Sequence, residues 1–137
     1  MSSFPIVIVG TGFSGIAMGV MLKQAGIHTF TILEKAGDVG GTWRDNTYPG
    51  AACDVPSHLY CFSFEPKPDW SRFFSPQQEI HEYLRHCVRK YDLTRHIQFH
   101  STVTGAEFDA ASGTWTVRVE GREPLKARAV VLGNGAL

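Results

Sequence analysis

The 137-residue sequence predicts an α/β fold with a parallel β-sheet and an antiparallel β-meander insertion. Near the N-terminus, a β-branched run ends at glycine and is followed by a stretch with helical spacing and a second short strand, which is the order of a βαβ unit. Nearer the C-terminus, two stretches alternate apolar and polar residues, as antiparallel strands with one exposed face do. These patterns place the chain in the α/β class.

The first βαβ unit begins with a strand over residues 6–9, whose continuous apolar run is typical of a strand buried on both faces of a parallel sheet. The helix that follows has apolar residues at helical spacing, namely Phe13, Ala17, Val20 and Met21. Gly26 stands where a left-handed residue usually ends a helix. Residues 28–33 then form the predicted second strand.

Residues 34–74 show no periodicity and are rich in Gly, Pro, Asp and aromatic residues. A connection of this length is too long to be passive, so we expect it to carry a binding site. Helical signals resume at Ser75, which we expect to cap a helix with Pro76 in its first turn and Gln78 completing a capping box. The predicted buried face of this helix consists of Ile80, Tyr83, Leu84, Cys87, Val88 and Tyr91.

The rest of the chain is predicted to form strands. Residues 97–99 form a third strand, and residues 103–108 and 115–119 form a hairpin across Ser112 and Gly113. Residues 129–132 form a last apolar strand before Gly133-Asn134-Gly135. Because no later segment that would close over the binding site is present in the sequence, we expect this strand to have an uncovered neighbour. Parallel sheets are normally buried on both faces, and an exposed edge invites pairing. The chain would then be a fragment, a proteolytic product or one half of a split protein, and it would pair with a complementary C-terminal chain or with itself.

Composition argues against several classes of function. Lys plus Arg and Asp plus Glu number 13 each, so the formal net charge of zero makes nucleic acid a poor partner. No stretch approaches the roughly 20 apolar residues of a membrane-spanning helix, so no membrane partner is expected. The 3 cysteines form no Cys-x-x-Cys pair, which favours a reducing, cytoplasmic setting. The 6 histidines show no metal-ligand spacing, so no metal site is predicted.

The turn after the first strand, Gly10-Thr11-Gly12-Phe13-Ser14-Gly15, matches the dinucleotide fingerprint G-x-G-x-x-G. Gly10 permits the tight turn, Gly12 lets the backbone approach a pyrophosphate, and Gly15 lets the helix pack closely on the strand. The amino end of the helix offers unpaired N–H groups and a partial positive charge to the diphosphate. The sequence therefore predicts a dinucleotide site that includes Phe13 and Ser14.

Glu34 follows Gly15 by about 20 residues, at the end of the second predicted strand. A carboxylate at this place accepts hydrogen bonds from the ribose hydroxyls of an adenosine, and the adjacent Lys35 belongs to the same predicted site. Because a carboxylate repels a 2′-phosphate, the predicted nucleotide is FAD or NAD rather than NADP.

The stretch Gly40-Gly41-Thr42-Trp43 offers backbone without side chains and then a large ring, which suits contact with a long, extended cofactor. Together with the fingerprint, Glu34 and the segment Tyr48-Pro-Gly-Ala-Ala-Cys-Asp54, it resembles flavin-dependent monooxygenases of the Baeyer–Villiger and flavin-containing monooxygenase type. The resemblance runs along essentially the whole chain. It implies a Rossmann-like FAD-binding domain over residues 1–137.

The resemblance also assigns site residues. Implied contacts with FAD come from Gly41, Thr42, Trp43, Tyr60 and Val103, the last of them near the adenine. Ala52, Cys53 and Asp54 would form the edge where the nicotinamide cofactor meets the flavin. Asp54 would lie beside the flavin ring and orient a cationic partner, which makes it the candidate catalytic residue.

In the reaction of that family, NADPH reduces the flavin, oxygen adds to the ring, and the flavin peroxide attacks a ketone to give an ester or lactone. The resemblance therefore implies the FAD-binding part of an NADPH- and O2-dependent oxidoreductase acting on a small ketone or related substrate. Three alternatives stay open: an N- or S-oxidising flavin monooxygenase, a flavin- or nucleotide-binding module without turnover, and an NAD-dependent dehydrogenase.

The sequence departs from the family pattern in two respects. Ala52 stands where many members carry Arg, which bears on the binding of NADPH. A second glycine fingerprint and the family's segment built on Phe, Gly, His and Trp are missing, so we expect the NADPH domain and the C-terminal FAD segment to lie outside this chain.

Overall fold

The computed structural model describes residues 4–135 of the chain. Its strands are β1 (Ile6–Val9), β2 (Phe30–Leu33), β3 (Ile97–Gln98), β4 (Val103–Asp109), β5 (Thr114–Val119), β6 (Leu125–Ala127) and β7 (Ala129–Leu132). Its α-helices are α1 (Phe13–Gln24), α2 (Thr42–Asp45) and α3 (Gln77–Lys90), and two 3-10 helices span Ser57–Leu59 and Thr94–His96.

Four parallel strands form the central sheet in the order β3-β2-β1-β7. β1 lies between its two longest partners, with Ile6 opposite Phe30 of β2 and Ala129 of β7. The strand order reverses direction at β1, because β2 and β3 follow on one side and β7 lies on the other. The predicted parallel sheet is confirmed.

Helix α1 follows β1 across the glycine turn and packs against the sheet through small residues. A Cβ added at Gly19 would lie 3.1 Å from Cδ1 of Ile32, so the helix approaches β2 closely. Gly26, with φ of 73°, adopts the left-handed conformation just beyond the helix, as the sequence predicts. The βαβ unit is confirmed, although β2 begins at Phe30 and not at residue 28.

Helix α3 buries the apolar face that its sequence predicts, namely Ile80, Tyr83, Leu84, Cys87 and Val88, while Tyr91 lies just past its end. The predicted cap is wrong. Pro76 occupies the N-cap position and no side chain caps the helix, because the Ser75 hydroxyl is hydrogen-bonded to the Ser57 hydroxyl instead. The Ser75 side chain therefore holds the preceding loop through Ser57 and does not cap α3.

The antiparallel sheet has the order β4-β5-β6 and forms the predicted β-meander between β3 and β7. The hairpin between β4 and β5 turns through Gly113, which has φ of 65°. β6 has only three residues, too few for alternation to reveal it, and the sequence did not predict it.

The two faces of the parallel sheet are covered by different elements. Ile6 and Ile8 point into the larger apolar cluster, which α1 and α3 complete. Val7 and Leu33 point to the opposite face and pack with Val117 and other residues of the meander. Because side chains alternate along a strand, the continuous apolar run of β1 serves both clusters.

β3 and β7 are the outer strands of the parallel sheet in the described part of the chain. Leu132, at the end of β7, is 72% exposed. Among the helices of residues 4–135, none combines the length and apolarity that crossing a membrane requires.

Candidate functional site

A cleft with a volume of about 560 Å³ opens at the carboxyl ends of β1, β2 and β7. Val9 and Leu33, the last residues of β1 and β2, line it, and so does Gly133, which follows β7. Open α/β sheets bind ligands in such a crevice, at the point where the strand order reverses. The volume falls within the range of about 300–1,000 Å³ found for ligand pockets.

The glycine turn forms one wall of the cleft, and its glycines serve different purposes. Gly10 has φ of 94°, and a Cβ there would come within 2.6 Å of the Gly133 carbonyl oxygen. A Cβ on Gly15 would lie 1.9 Å from the Gly10 carbonyl oxygen, so only glycine lets α1 start so close to β1. A Cβ on Gly12 would meet no atom within 4 Å, which leaves its backbone open to the cleft.

The loop that carries α2 forms the facing wall. The Gly40 N–H donates to the Thr11 carbonyl at 2.9 Å, which holds this loop beside the glycine turn. The Trp43 indole N–H donates to the Tyr60 hydroxyl at 3.1 Å, and the Tyr60 ring packs edge-on against Phe13 with centroids 5.0 Å apart. An aromatic group thus borders the cleft next to the amino end of α1.

Glu34 lines the cleft, but its carboxylate is 3% exposed and fully hydrogen-bonded within the protein. One oxygen accepts from the Thr11 N–H at 3.0 Å and from the Thr11 hydroxyl at 2.5 Å. The other accepts from the Ala36 N–H at 2.9 Å and pairs with the Arg44 guanidinium at 2.9 Å. Burial alone would raise the pKa of Glu34, but these donors outweigh it, so the pKa lies below its usual value and the group is ionised.

Arg44 is a fixed cation at the rim of the same cleft. Besides Glu34, it contacts both carboxylate oxygens of Asp45, at 2.7 and 3.0 Å, and the Asp38 carbonyl at 2.8 Å. The sequence predicts that Glu34 repels a 2′-phosphate. The neighbouring positive charge of Arg44 would oppose that repulsion. Lys35 and Asp45 also line the cleft, so its charged groups are balanced.

The segment that contains Asp54 is braced from behind by the chain that leads into α3. The Cys53 N–H donates to the Ser75 carbonyl at 2.9 Å, and Ala52 forms an isolated β-bridge with Pro76. Cys53 is buried in the larger apolar cluster, whereas Ala52 and Asp54 are exposed. Asp54 therefore presents its carboxylate to solvent and not to the cleft formed by this chain.

The structure brings most of the predicted site residues together. Those that line the cleft are Gly10, Gly12, Phe13, Ser14, Glu34, Lys35, Gly41, Thr42, Trp43, Tyr60 and Val103. Gly15 lies behind the turn, where it allows close packing. Ala52, Cys53 and Asp54 do not line the cleft. Within residues 4–135, no group of three or more His, Cys, Asp and Glu side chains could hold a metal ion.

Sequence reasoning missed several residues of the site. Thr11 and Arg44 engage Glu34, and Gly133 closes the cleft beside Gly10. Gly133 could have been found, because the carboxyl ends of adjacent parallel strands meet at one edge and a Gly-Asn-Gly sequence follows β7. Arg44 carries no comparable signal, since its partner lies on another element.

Comparison with known proteins agrees with this geometry. The model of the NAD(P)-binding Rossmann-like domain family matches residues 8–76. The chain belongs to this family. The match to the Rossmann-like domain covers the end of β1, α1, β2 and the whole loop up to α3, and it confirms the predicted fold class.

Individual proteins similar to this chain include monooxygenases. A Baeyer–Villiger monooxygenase of Streptomyces coelicolor is 46% identical over 132 residues, which are 96% of this chain and 25% of the relative. The structure of cyclohexanone monooxygenase from Rhodococcus sp. Phi1 bound to NADP+ matches with a TM-score of 0.92 and 37% identity, over 98% of this chain and 26% of that one. The structure of OTEMO with FAD and NADP matches with a TM-score of 0.90 and 30% identity over the same shares.

The resemblance to Baeyer–Villiger monooxygenases that the motifs indicate is thus confirmed. The chain spans about a quarter of the length of these relatives.

Proposed function

We propose that the chain is the FAD-binding part of an NADPH- and O2-dependent flavoprotein monooxygenase that converts a small ketone to an ester or lactone. Residues 1–137 would form part of the FAD domain, and the NADPH domain and a C-terminal FAD segment would be supplied by other residues of such an enzyme. A cytoplasmic setting belongs to the same proposal, supported by the free state of Cys53, Cys61 and Cys87.

The observation that carries this proposal is the cleft itself, in a chain 46% identical to a Baeyer–Villiger monooxygenase. The open backbone of Gly12 stands at the amino end of α1, and the first N–H groups of a helix have no intrahelical partner. A diphosphate would receive these N–H groups and the positive end of the helix dipole. The second wall, with Gly41 and Trp43, gives the cleft the extended lining that a long dinucleotide needs.

The residues present fit FAD. A Cβ at Gly41 would lie 3.2 Å from Cα of Gly12, so the two walls approach closely without any side chain between them. Glu34, whose carboxylate is fixed by its internal donors, and Val103 would border the adenosine end, while Thr42, Trp43 and Tyr60 would border the rest of the cofactor. When bound, flavin would supply the redox chemistry that transfers electrons from NADPH to oxygen, while the protein supplies binding and orientation.

Asp54 keeps the proposed role of orienting a cationic group beside the flavin. Its exposure supports this role, because a partner could approach the carboxylate from outside the chain. An Asp54→Asn variant would then bind FAD as wild type does and lose turnover in the assembled enzyme.

The visible absorption spectrum of the freshly purified chain, followed by release and identification of the bound cofactor, tests the proposal. We expect flavin bands and FAD as the released compound, or saturable binding when FAD is titrated into the colourless chain. Protein that binds NAD and no FAD would favour the dehydrogenase alternative and overturn the proposal.

A second measurement separates turnover from binding alone. Oxygen uptake with NADPH and a ketone, measured on the chain together with the missing domains, is expected for the monooxygenase. FAD binding without oxygen uptake would favour the non-catalytic module. Oxygen uptake that responds to amines or sulfides and not to ketones would favour the N- or S-oxidising alternative.

A further inference from the structure

Gln77 stands at the first position of α3 and joins two loop segments beside the cleft. Its side chain is 7% exposed. Its carboxamide N–H donates to the Trp43 carbonyl, and its backbone N–H donates to the Ala51 carbonyl at 2.9 Å. One residue therefore connects the α2 loop and the segment leading to Asp54 with the longest helix of the described chain.

The Trp43 carbonyl needs a donor that α2 does not provide. The helix is only four residues long, and the last carbonyls of a helix have no intrahelical partner. The Asn46 N–H bonds the Thr42 carbonyl, which leaves the Trp43 carbonyl to Gln77. This carbonyl is partly buried, and losing its donor would cost free energy, so the carboxamide fixes where α2 ends against α3.

The position of Trp43 in turn sets one wall of the cleft. Its indole bonds the Tyr60 hydroxyl, and Tyr60 packs on Phe13 at the start of α1. Ala51 lies directly before the segment that is paired with residues 75 and 76. Both groups held by Gln77 thus belong to the parts of the chain assigned to the flavin side of the cofactor.

The adenosine diphosphate side is built without Gln77. It consists of the glycine turn from Gly10 to Gly15, which packs on Gly133, and of Glu34, whose Thr11 and Ala36 donors lie outside α2. The hydrogen bonds of Gln77 go to neither group. Loss of the carboxamide should therefore disturb one half of the site and leave the other in place.

We propose that the side chain of Gln77 makes it a positioning residue for the flavin half of the cofactor, acting through the Trp43 carbonyl and not by contact with the cofactor. The inference rests on the proposed function, since it assumes that the cleft holds FAD. The proposal predicts that loss of the carboxamide changes the affinity for FAD but not the affinity for ADP. FAD reaches both halves of the site, whereas ADP reaches only the half that Gln77 does not hold.

Two substitutions remove the donor while keeping the length of the side chain, Gln77→Met and Gln77→Glu. Gln78→Met is the matched control, because Gln78 is the next residue of α3 and is exposed. Titrations of the purified chain with FAD and with ADP give both affinities, and urea unfolding reports stability. We expect both Gln77 variants to weaken FAD binding by about tenfold, equivalent to about 1.4 kcal/mol, with ADP affinity unchanged and Gln78→Met like wild type.

Each other outcome has a distinct meaning. Equal loss of FAD and ADP affinity would assign Gln77 a general structural role and overturn the positioning role, as would FAD affinity unchanged in both variants. An effect of Gln78→Met as large as that of Gln77→Met would overturn it too. A wild-type chain that binds ADP but no FAD would overturn the proposed function itself, and this inference with it.

Discussion

At the scale of single residues, substitutions at Gly12 and Gly15 should have different effects, one on nucleotide binding and the other on folding stability. Gly12 has φ of −75° and open space where a Cβ would stand, so alanine fits the fold without strain. We expect Gly12→Ala to leave the free energy of unfolding unchanged and to weaken FAD binding, because the added methyl group occupies the place where a pyrophosphate approaches the backbone.

Gly15→Ala should behave in the opposite way. Its Cβ would stand 1.9 Å from the Gly10 carbonyl oxygen, a backbone atom that cannot move without shifting β1 or α1. We expect a loss of about 3 kcal/mol or more in the free energy of unfolding, measured by urea denaturation. Equal stability of the two variants would contradict the assigned roles of these glycines.

The Glu34 carboxylate should make the free energy of unfolding depend on pH in the acidic range. A buried carboxylate with a lowered pKa stabilises the folded chain above its ordinary value of 4.5, and this contribution disappears as the pH falls through the folded pKa. We expect Glu34→Gln to cost about 2 kcal/mol at neutral pH. Urea unfolding at decreasing pH should show the difference from wild type shrinking below 4.5. Glu123→Gln, at an exposed position, is the control and should keep the stability at neutral pH within about 0.5 kcal/mol of wild type.

The sequence could predict the site's backbone better than its side-chain contacts. The fingerprint identifies Gly10, Gly12 and Gly15 because their roles are local and steric. The four donors around Glu34 were not predictable, since Arg44 reaches it from a different element and Thr11 occupies a variable position of the motif. Hydrogen-bond saturation depends on tertiary placement, which spacing along the chain does not encode.

At the scale of elements, the segment before α3 holds the long irregular loop in place. The Ser57 hydroxyl is buried, donates to the Arg72 carbonyl at 2.8 Å and is bonded to the Ser75 hydroxyl. We expect Ser57→Ala to cost about 1–3 kcal/mol, because buried carbonyl and hydroxyl groups lose their partner. Hydrogen exchange should become faster at the amides of Cys53 and Ser57, which bond this segment.

Ser112→Ala is the control for that variant. Ser112 is exposed in the hairpin between β4 and β5, and its hydroxyl bonds only neighbouring side chains there. We expect a change within about 0.5 kcal/mol, as for surface substitutions generally. Unaltered exchange at Cys53 in the Ser57 variant would show that the loop is held by other contacts.

The elements themselves were largely predictable, and each exception has a physical cause. Strands β1, β4, β5 and β7 and helices α1 and α3 follow from apolar periodicity, which burial imposes directly. The short elements α2 and β6 have three or four residues each, too few for a period to appear. The cap predicted for Ser75 failed because a tertiary partner, Ser57, competes for its hydroxyl.

At the scale of the whole molecule, β7 is the element most open to further association. It pairs with β1 along one edge and is an outer strand of the parallel sheet in the described residues. Such an edge presents unpaired N–H and C=O groups that template pairing with another strand. The expected self-association, or pairing with a complementary chain, stays a prediction that this geometry supports.

Sedimentation velocity of the purified chain over a range of concentrations tests self-association through β7. We expect reversible dimers, and we expect Leu132→Lys to shift them toward monomer, because a charged side chain at an edge strand opposes pairing. Leu59→Lys is the matched control, since Leu59 is 76% exposed but belongs to a 3-10 helix and not to a strand. If both lysine variants dissociate the dimer equally, general surface hydrophobicity and not the β7 edge drives association. A wild-type chain that remains monomeric at every concentration would leave a complementary chain as the partner for this edge.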